Sequence, residues 1–415
     1  MTVPEQGSTY FRKGFGLKGE VEGTLAADYD GSLVDLLRER DHTLTIDGVT
    51  VRLAREFGFC YGVERAVEYA YQTRRKFPDR RIRLVGEIIH NPHVNRRLGE
   101  MGIEILAPGH DENGKPVFDY SGVLPDDVVI LPAFGVTVHD FATLRGLGCV
   151  VVDTTCGSVL NVWKRVESYA RDGFTALIHG KHYHEETRAT ASQVERYPDG
   201  HWLVVRDMNE ARVVCDYIEG KGSRDELLAK FSRAVSRGFD PDVHLKRIGV
   251  ANQTTMLARE SLAIGEEVGL AMARRYGDDY RKENFRTFDT ICSATQDRQD
   301  AVEELLREPL DAMVVIGGYN SSNTISLAAL CAERVATYHI EDATGIDPDA
   351  GTIAYRVAGV QHREATASDW LPASGDVRIG LTAGASTPNN KIGETVARIF
   401  ATRGIDVRTL GIAAA

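Results

Sequence analysis

No apolar run in this chain is long enough to span a bilayer, and with 415 residues and 43% hydrophobic content it is expected to be a soluble globular protein of two to four domains. Cysteine is scarce: six in so long a chain do not make a disulfide framework, which points to a reducing compartment. Basic residues are outnumbered, 49 Lys and Arg against 60 Asp and Glu, and the net charge of -11 argues against nucleic acid or an anionic membrane as partner. No long block of like charge offsets that balance. The first residues carry neither an apolar signal-peptide core nor an Arg-rich amphipathic presequence, so the expected location is the cytoplasm.

What is present is a repeated local grammar around three of the cysteines. Cys60 lies in Glu-Phe-Gly-Phe-Cys-Tyr-Gly, Cys156 in Asp-Thr-Thr-Cys-Gly and Cys292 in Asp-Thr-Ile-Cys-Ser. Each ends a strand-like run (Thr50–Leu53, Val150–Val152, Phe285–Phe288) and opens a helix-like one. Apolar residues at Val63, Ala66, Val67 and Ala70, and at Val159, Val162, Trp163 and Val166, form an amphipathic stripe; Ala294, Ala301, Val302 and Leu305 repeat it less regularly. A thiol at a helix N-terminus is easily kept as thiolate, the form that ligates metal. Three such thiolates suggest three lobes meeting at one metal centre.

Elsewhere the chain alternates apolar strands with helices, the rhythm of an α/β fold. Expected strands include Ile82–Val85, Val128–Leu131, Thr175–Ile178, Leu203–Val205, Ile248–Ala251, Met313–Ile316 and Ile379–Thr382. Ligands in such folds gather at the carboxyl ends of the strands. Those ends carry His90 and Asn91, Phe134, His184 with Glu186, Thr254, Ser321 to Asn323, and Ser386. The expected division is an N-terminal extension over 1–50, a first lobe over 51–147, a second over 148–275 and a third over 276–415 that ends in a C-terminal tail. Two stretches, 215–245 and 341–376, read as surface insertions, the first a charged helix with Leu227, Leu228, Phe231 and Val235 on one face, the second loop-rich. The extension shows two short helical patterns and no strong strand. Its Gly14-Phe-Gly16-Leu-Lys-Gly19 is formally GxGxxG but lacks an apolar strand before it, so it is not read as a dinucleotide site.

Each of these positions has a plainer reading. Cys149, Cys215 and Cys331 read as small buried hydrophobes. Three thiolates without a fourth favour an iron–sulfur cluster with one open iron, while zinc with His179, His182 or His184 as fourth ligand is the competing metal. His90 and His184 can be hydrogen-bonded structural residues, and Glu186 a solvated glutamate or an acid. Ser321-Ser-Asn323 and Ser386-Thr-Pro388 are ordinary helix-start compositions or phosphate sites at a helix N-terminus.

Taken together, Gly58-Phe-Cys60-Tyr-Gly62, Ile89-His90-Asn91, Asp153-Thr-Thr-Cys156, His184-Glu-Glu186-Thr, Gln253-Thr254-Thr255, Thr290-Ile-Cys292-Ser-Ala-Thr295-Gln-Asp-Arg-Gln299, Ser321-Ser-Asn323 and Thr382-Ala-Gly-Ala-Ser386 resemble the LytB family, the 4-hydroxy-3-methylbut-2-enyl diphosphate reductases. The order is that of the family, and Tyr10-Phe-Arg-Lys-Gly-Phe-Gly16 with Gly238-Phe-Asp-Pro-Asp242 is similar to its plant and cyanobacterial branch. The resemblance implies three similar αβ lobes in a pseudo-threefold arrangement around a [4Fe-4S] cluster held by Cys60, Cys156 and Cys292, with the fourth iron facing the substrate. It implies reductive removal of an allylic hydroxyl to give isopentenyl and dimethylallyl diphosphate, fed by a ferredoxin or flavodoxin. Glu186 would deliver the proton with Thr254 beside it. His90, His184, Thr254, Ser321, Ser322, Asn323 and Ser386 would hold the substrate, mostly its diphosphate.

One departure stands out: where many bacterial members of the family place a diphosphate-binding histidine, this chain has Phe134, so that loop is assigned no phosphate role. From the cysteines alone a quinolinate synthase remains open, and the His-Glu-Glu and Ser-Ser-Asn strings decide against it. An iron–sulfur carrier or redox sensor would not require so many polar strand ends.

Overall fold

The computed structural model describes residues 9–112, 116–360, 363–372 and 374–407, and the expected N-terminal residues Met1 to Ser8 and the tail past 407 lie outside them. The fold is α/β. Its central strands are buried along their whole length, as parallel strands covered on both faces must be. None of the described helices is long and apolar enough to cross a membrane.

The chain divides into two compact units. The first comprises residues up to 13, 79–88 and 102–292, and contains two parallel sheets. One runs Tyr10–Phe11, Val150–Asp153, Val128–Leu131, Ile82–Val85, Ile103–Leu106. The other runs Trp202–Val205, Thr175–His179, Ile248–Asn252, Phe285–Thr287. Helices Gly157–Arg171 and Ala258–Tyr276 cover the second sheet, burying Val162, Val166, Ile264 and Val268 against Leu177, Ile178 and Val250. The second unit comprises residues 14–78, 89–101 and those from 293 onward. Its mixed sheet has a parallel centre of Thr337–Ile340, Ala312–Ile316, Val377–Ala383 and Val49–Leu53.

Two expectations are corrected and a third is refined. The extension does contain strands: Tyr10–Phe11 adds to the edge of the first sheet, and Thr43–Ile46 pairs antiparallel with Val49–Leu53. Such short segments carry too little alternation to be read locally. The stretch 341–376 is loop-rich as expected, but Ile346–Asp347, Thr352–Arg356 and Glu364–Ser368 within it extend the third sheet as antiparallel strands. The stretch 215–245 is less superficial than expected, since Leu227 and Phe231 are each 1% exposed in the core of the second sheet.

Strand membership also crosses the linear lobes. Val49–Leu53 belongs to the third sheet, Val150–Asp153 to the first and Phe285–Thr287 to the second. Cys156 therefore lies where the chain leaves the first sheet for a helix packed on the second. A strand's side chains record that both faces are buried, not whose hydrogen bonds complete its edge.

The Gly14 to Gly19 turn is occupied from within: the amides of Phe15 and Leu17 both donate to Gln72 Oε1, at 2.8 and 3.3 Å.

Candidate active site

In the first unit, one device places two of the three cysteines. Asp153 Oδ1 accepts the amide of Thr155 at 2.9 Å, and Asp289 Oδ1 accepts that of Ile291 at 3.0 Å. Each aspartate, three residues ahead of its cysteine, closes a side-chain turn that ends the strand and aims the next residues at a helix start. Asp153 is held in turn by the Tyr10 hydroxyl at 2.6 Å, and Thr154 donates to Leu131 O at 2.6 Å. Cys156 N–H then donates to Ala133 O at 2.9 Å, and Cys156 is the N-cap of helix Gly157–Arg171. Cys292 N–H donates to Thr254 O at 3.3 Å, and helix Ser293–Leu305 starts at the next residue.

Glu186 lies on the first turn of helix Glu185–Val194, 2% exposed. Its carboxylate accepts the Thr254 amide at 2.6 Å and the Thr254 hydroxyl at 3.0 Å. His184 is the N-cap of the same helix, its Nδ1 accepting the Glu186 amide at 3.1 Å. An Nδ1 that accepts leaves the proton of the neutral ring on Nε2, so His184 presents a donor there. The Phe134 ring meets His184 edge to face, centroids 5.6 Å apart. Gln253 ties the two loops together, its Oε1 accepting the Thr187 hydroxyl and the Lys181 amide, both at 3.1 Å. Gly180 permits this, because a Cβ there would lie 2.8 Å from Thr187 Oγ1. A hydrogen-bonded path thus runs from Glu186 through Thr254 to Cys292.

In the second unit, Cys60 N–H donates to Ala385 O at 3.2 Å and Cys60 is the N-cap of helix Tyr61–Lys76. Ala385 N–H donates to Asn323 Oδ1 at 2.9 Å, and the Ser386 hydroxyl donates to His90 O at 3.1 Å. Ser321 is the N-cap of helix Ser322–Ala332, accepting the Thr324 amide at 3.3 Å. Cys60, His90, Ser321, Ser322, Asn323 and Ser386 are thereby gathered around one pair of loops. Asn323 is 2% exposed, and its Nδ2 has no hydrogen-bond partner among the described residues. A buried donor without an acceptor is costly.

The remaining cysteines fit their plainer reading. Cys149, Cys215 and Cys331 are buried, and burial pushes the thiols of Cys215 and Cys331 up to about 12. Cys60, Cys156 and Cys292 are only partly buried. Sequence reasoning missed Gln253 as the tie between loops and the two aspartates as turn-formers. For the aspartates the signal was present, as an Asp three residues before the cysteine in both strings. It also missed Lys181, whose ammonium burial lowers to about 8.

The chain is similar to known proteins along most of its length. The family model described as LytB protein matches residues 51–400. The chain is 49% identical over 402 residues to the 4-hydroxy-3-methylbut-2-enyl diphosphate reductase of Gloeobacter violaceus, covering 96% of this chain and 94% of that one. It is 47% identical to that of Thermosynechococcus vestitus, covering 95% of each. Among solved structures, (E)-4-hydroxy-3-methyl-but-2-enyl diphosphate reductase, described as the terminal enzyme of the non-mevalonate pathway, aligns with a TM-score of 0.50 at 26% identity over 84% of this chain and 98% of that one. The reductase from Plasmodium falciparum aligns with a TM-score of 0.60 at 19% identity, over 86% of this chain and 89% of that one, a likeness of fold. With the family's model matched from residue 51 to residue 400 and such relatives along nearly the whole chain, the protein belongs to the LytB family.

Proposed function

We propose that this chain is a 4-hydroxy-3-methylbut-2-enyl diphosphate reductase, converting that allylic alcohol to isopentenyl and dimethylallyl diphosphate. The allylic C–O bond breaks, and two electrons and two protons leave a new C–H bond on the allylic unit and turn its oxygen into water, with the diphosphate kept. Cys60, Cys156 and Cys292 would hold a [4Fe-4S] cluster. The donor set fits: Cys60 and Cys156 are helix N-caps, and Cys60, Cys156 and Cys292 are only partly buried, while burial raises the other three thiols. When bound, the cluster supplies single electrons and an iron position open to the substrate hydroxyl.

The rest belongs to the protein. The observation that supports this reading most is the path Glu186–Thr254–Cys292, which joins a buried carboxylate through one residue to a cysteine that would ligate the cluster. Glu186 would hold the proton destined for the departing oxygen, and Thr254, bonded to it through amide and hydroxyl, would fix its direction. Asn323 Nδ2, the His184 Nε2–H, His90, Ser321, Ser322 and Ser386 would bind the diphosphate, through neutral donors and a helix N-terminus instead of lysines. The Phe134 ring carries no polar atom, so it would orient the His184 ring it packs against. A ferredoxin or flavodoxin would supply the electrons, and the cytoplasm would be the place of reaction.

The test is anaerobic purification with iron and sulfide analysis, followed by turnover of the allylic diphosphate with a chemical reductant. Iron and sulfide present with no conversion to the two isomeric products would reject the reductase reading and favour a cluster carrier.

A further inference from the structure

Arg298 lies on helix Ser293–Leu305 and is 4% exposed. Its side chain folds back toward the helix start, where Nη1 donates to Ala294 O at 2.8 Å. Nη2 reaches the carbonyls of Gly58 at 2.7 Å, Phe59 at 3.2 Å and Phe57 at 3.4 Å. These are the three residues leading into Cys60. The turn they form depends on Gly58, which has φ +67° and whose Cβ would press on Thr387 O at 3.1 Å.

Arg298 forms no ion pair among the described residues, all its hydrogen bonds go to main-chain carbonyls, and its Nε has no partner. Burying an ion costs several kcal/mol unless an opposite charge answers it. Carbonyl dipoles answer part of that cost. A negative group at the end of the same turn would answer the rest, and Cys60 follows the last of the three carbonyls.

We propose that Arg298 is a positioning residue for Cys60 and the fixed counter-charge of the anionic centre that Cys60 helps to hold. The proposal rests on the reading that Cys60 ligates an iron–sulfur cluster. It gives the guanidinium two separable tasks. Its fork of N–H groups pins the 57–59 carbonyls, and its charge favours the reduced, more negative state of the centre.

The experiment compares Arg298→Met and Arg298→Lys in the anaerobically loaded full chain, reading the midpoint potential by redox titration and the amide exchange of Gly58 to Cys60. In Arg298→Met the amides should exchange at least about tenfold faster. The preference for the reduced state should fall about tenfold, a midpoint about 59 mV lower for one electron. Arg298→Lys should keep most of the midpoint, since the charge stays, yet exchange faster, since an ammonium cannot span three carbonyls. An unmoved midpoint in Arg298→Met, or an equal fall in both variants, overturns the counter-charge; unchanged exchange in both overturns the tether. Should Arg298→Met fold without iron, the lysine variant decides alone, and a full tenfold loss there overturns the proposal. A wild-type chain without iron and sulfide instead rejects the cluster reading, and the exchange data still judge the tether.

Discussion

Glu186 and Thr254 meet twice, through the amide at 2.6 Å and the hydroxyl at 3.0 Å, so both carboxylate oxygens of a buried acid are engaged by one residue. Since the Thr254 carbonyl also accepts the Cys292 amide, that residue links the acid to the cysteine turn. The bond from the amide fixes Glu186 in place, while the hydroxyl can rotate to donate or accept as the acid changes protonation.

That asymmetry makes Glu186→Gln a clean test. The amide oxygen can keep the Thr254 N–H, and its NH2 can donate to a reversed Thr254 hydroxyl, so fold and substrate affinity should persist. Turnover with a chemical reductant should fall by about 10² or more, the scale for losing a general acid. Steady-state kinetics beside a thermal melt check both halves, and near-normal turnover removes Glu186 from proton delivery.

The cysteines should separate into two groups by iron content. Cys60→Ser, Cys156→Ser and Cys292→Ser are each expected to lose cluster or activity. Cys149→Ala, Cys215→Ala and Cys331→Ala should retain iron and lose only about 1 kcal/mol of stability each, the scale of one buried heavy atom. Iron and sulfide assays with urea unfolding give the answer, and a colourless Cys331→Ala protein would contradict the assignment.

Asn323 carries two functions that substitution can split. Asn323→Asp keeps the acceptor for the Ala385 amide but sets an anion where the proposed diphosphate site has a donor. Asn323→Ala loses both. Affinity for the allylic diphosphate, measured calorimetrically, should drop at least roughly ten- to hundredfold in each, the cost of about 1.5–3 kcal/mol for a hydrogen bond to a charged group. Retained affinity in the aspartate variant would place the diphosphate elsewhere.

Stability should fall in mild acid through two buried histidines. Burial lowers His179 and His339 to about 4, below the ordinary 6.5, with His179 Nδ1 on Ser261 Oγ at 2.7 Å and His339 Nε2 on Gly317 O at 2.9 Å. The unfolded chain takes up these protons first, so their contribution is complete above about pH 6.5, is lost as pH falls toward 4 and is level below. Each should cost about 2 kcal/mol between pH 7.5 and pH 5. Urea unfolding at the two pH values checks this, and His339→Asn should flatten the dependence.

By itself the sequence determined the α/β class, the places of the central strands to within two residues, and the cysteine-headed helices. Those are local properties: β-branched runs, the 3.6-residue stripe and turn residues are written into neighbouring positions. It also singled out Cys60, Cys156 and Cys292, because three strings share one grammar, and the Asp-Thr-x-Cys form of two of them is a side-chain turn that needs no distant partner. Only the tertiary structure decided which sheet completes each strand, as with Val49–Leu53 beside Val377–Ala383. It alone supplied the two hydrogen bonds from Thr254 to Glu186 and made Arg298 the clamp on the turn before Cys60. Hydrogen bonds between residues far apart in the chain leave no period in the sequence, and a buried charge looks like a surface charge until the chain has folded around it.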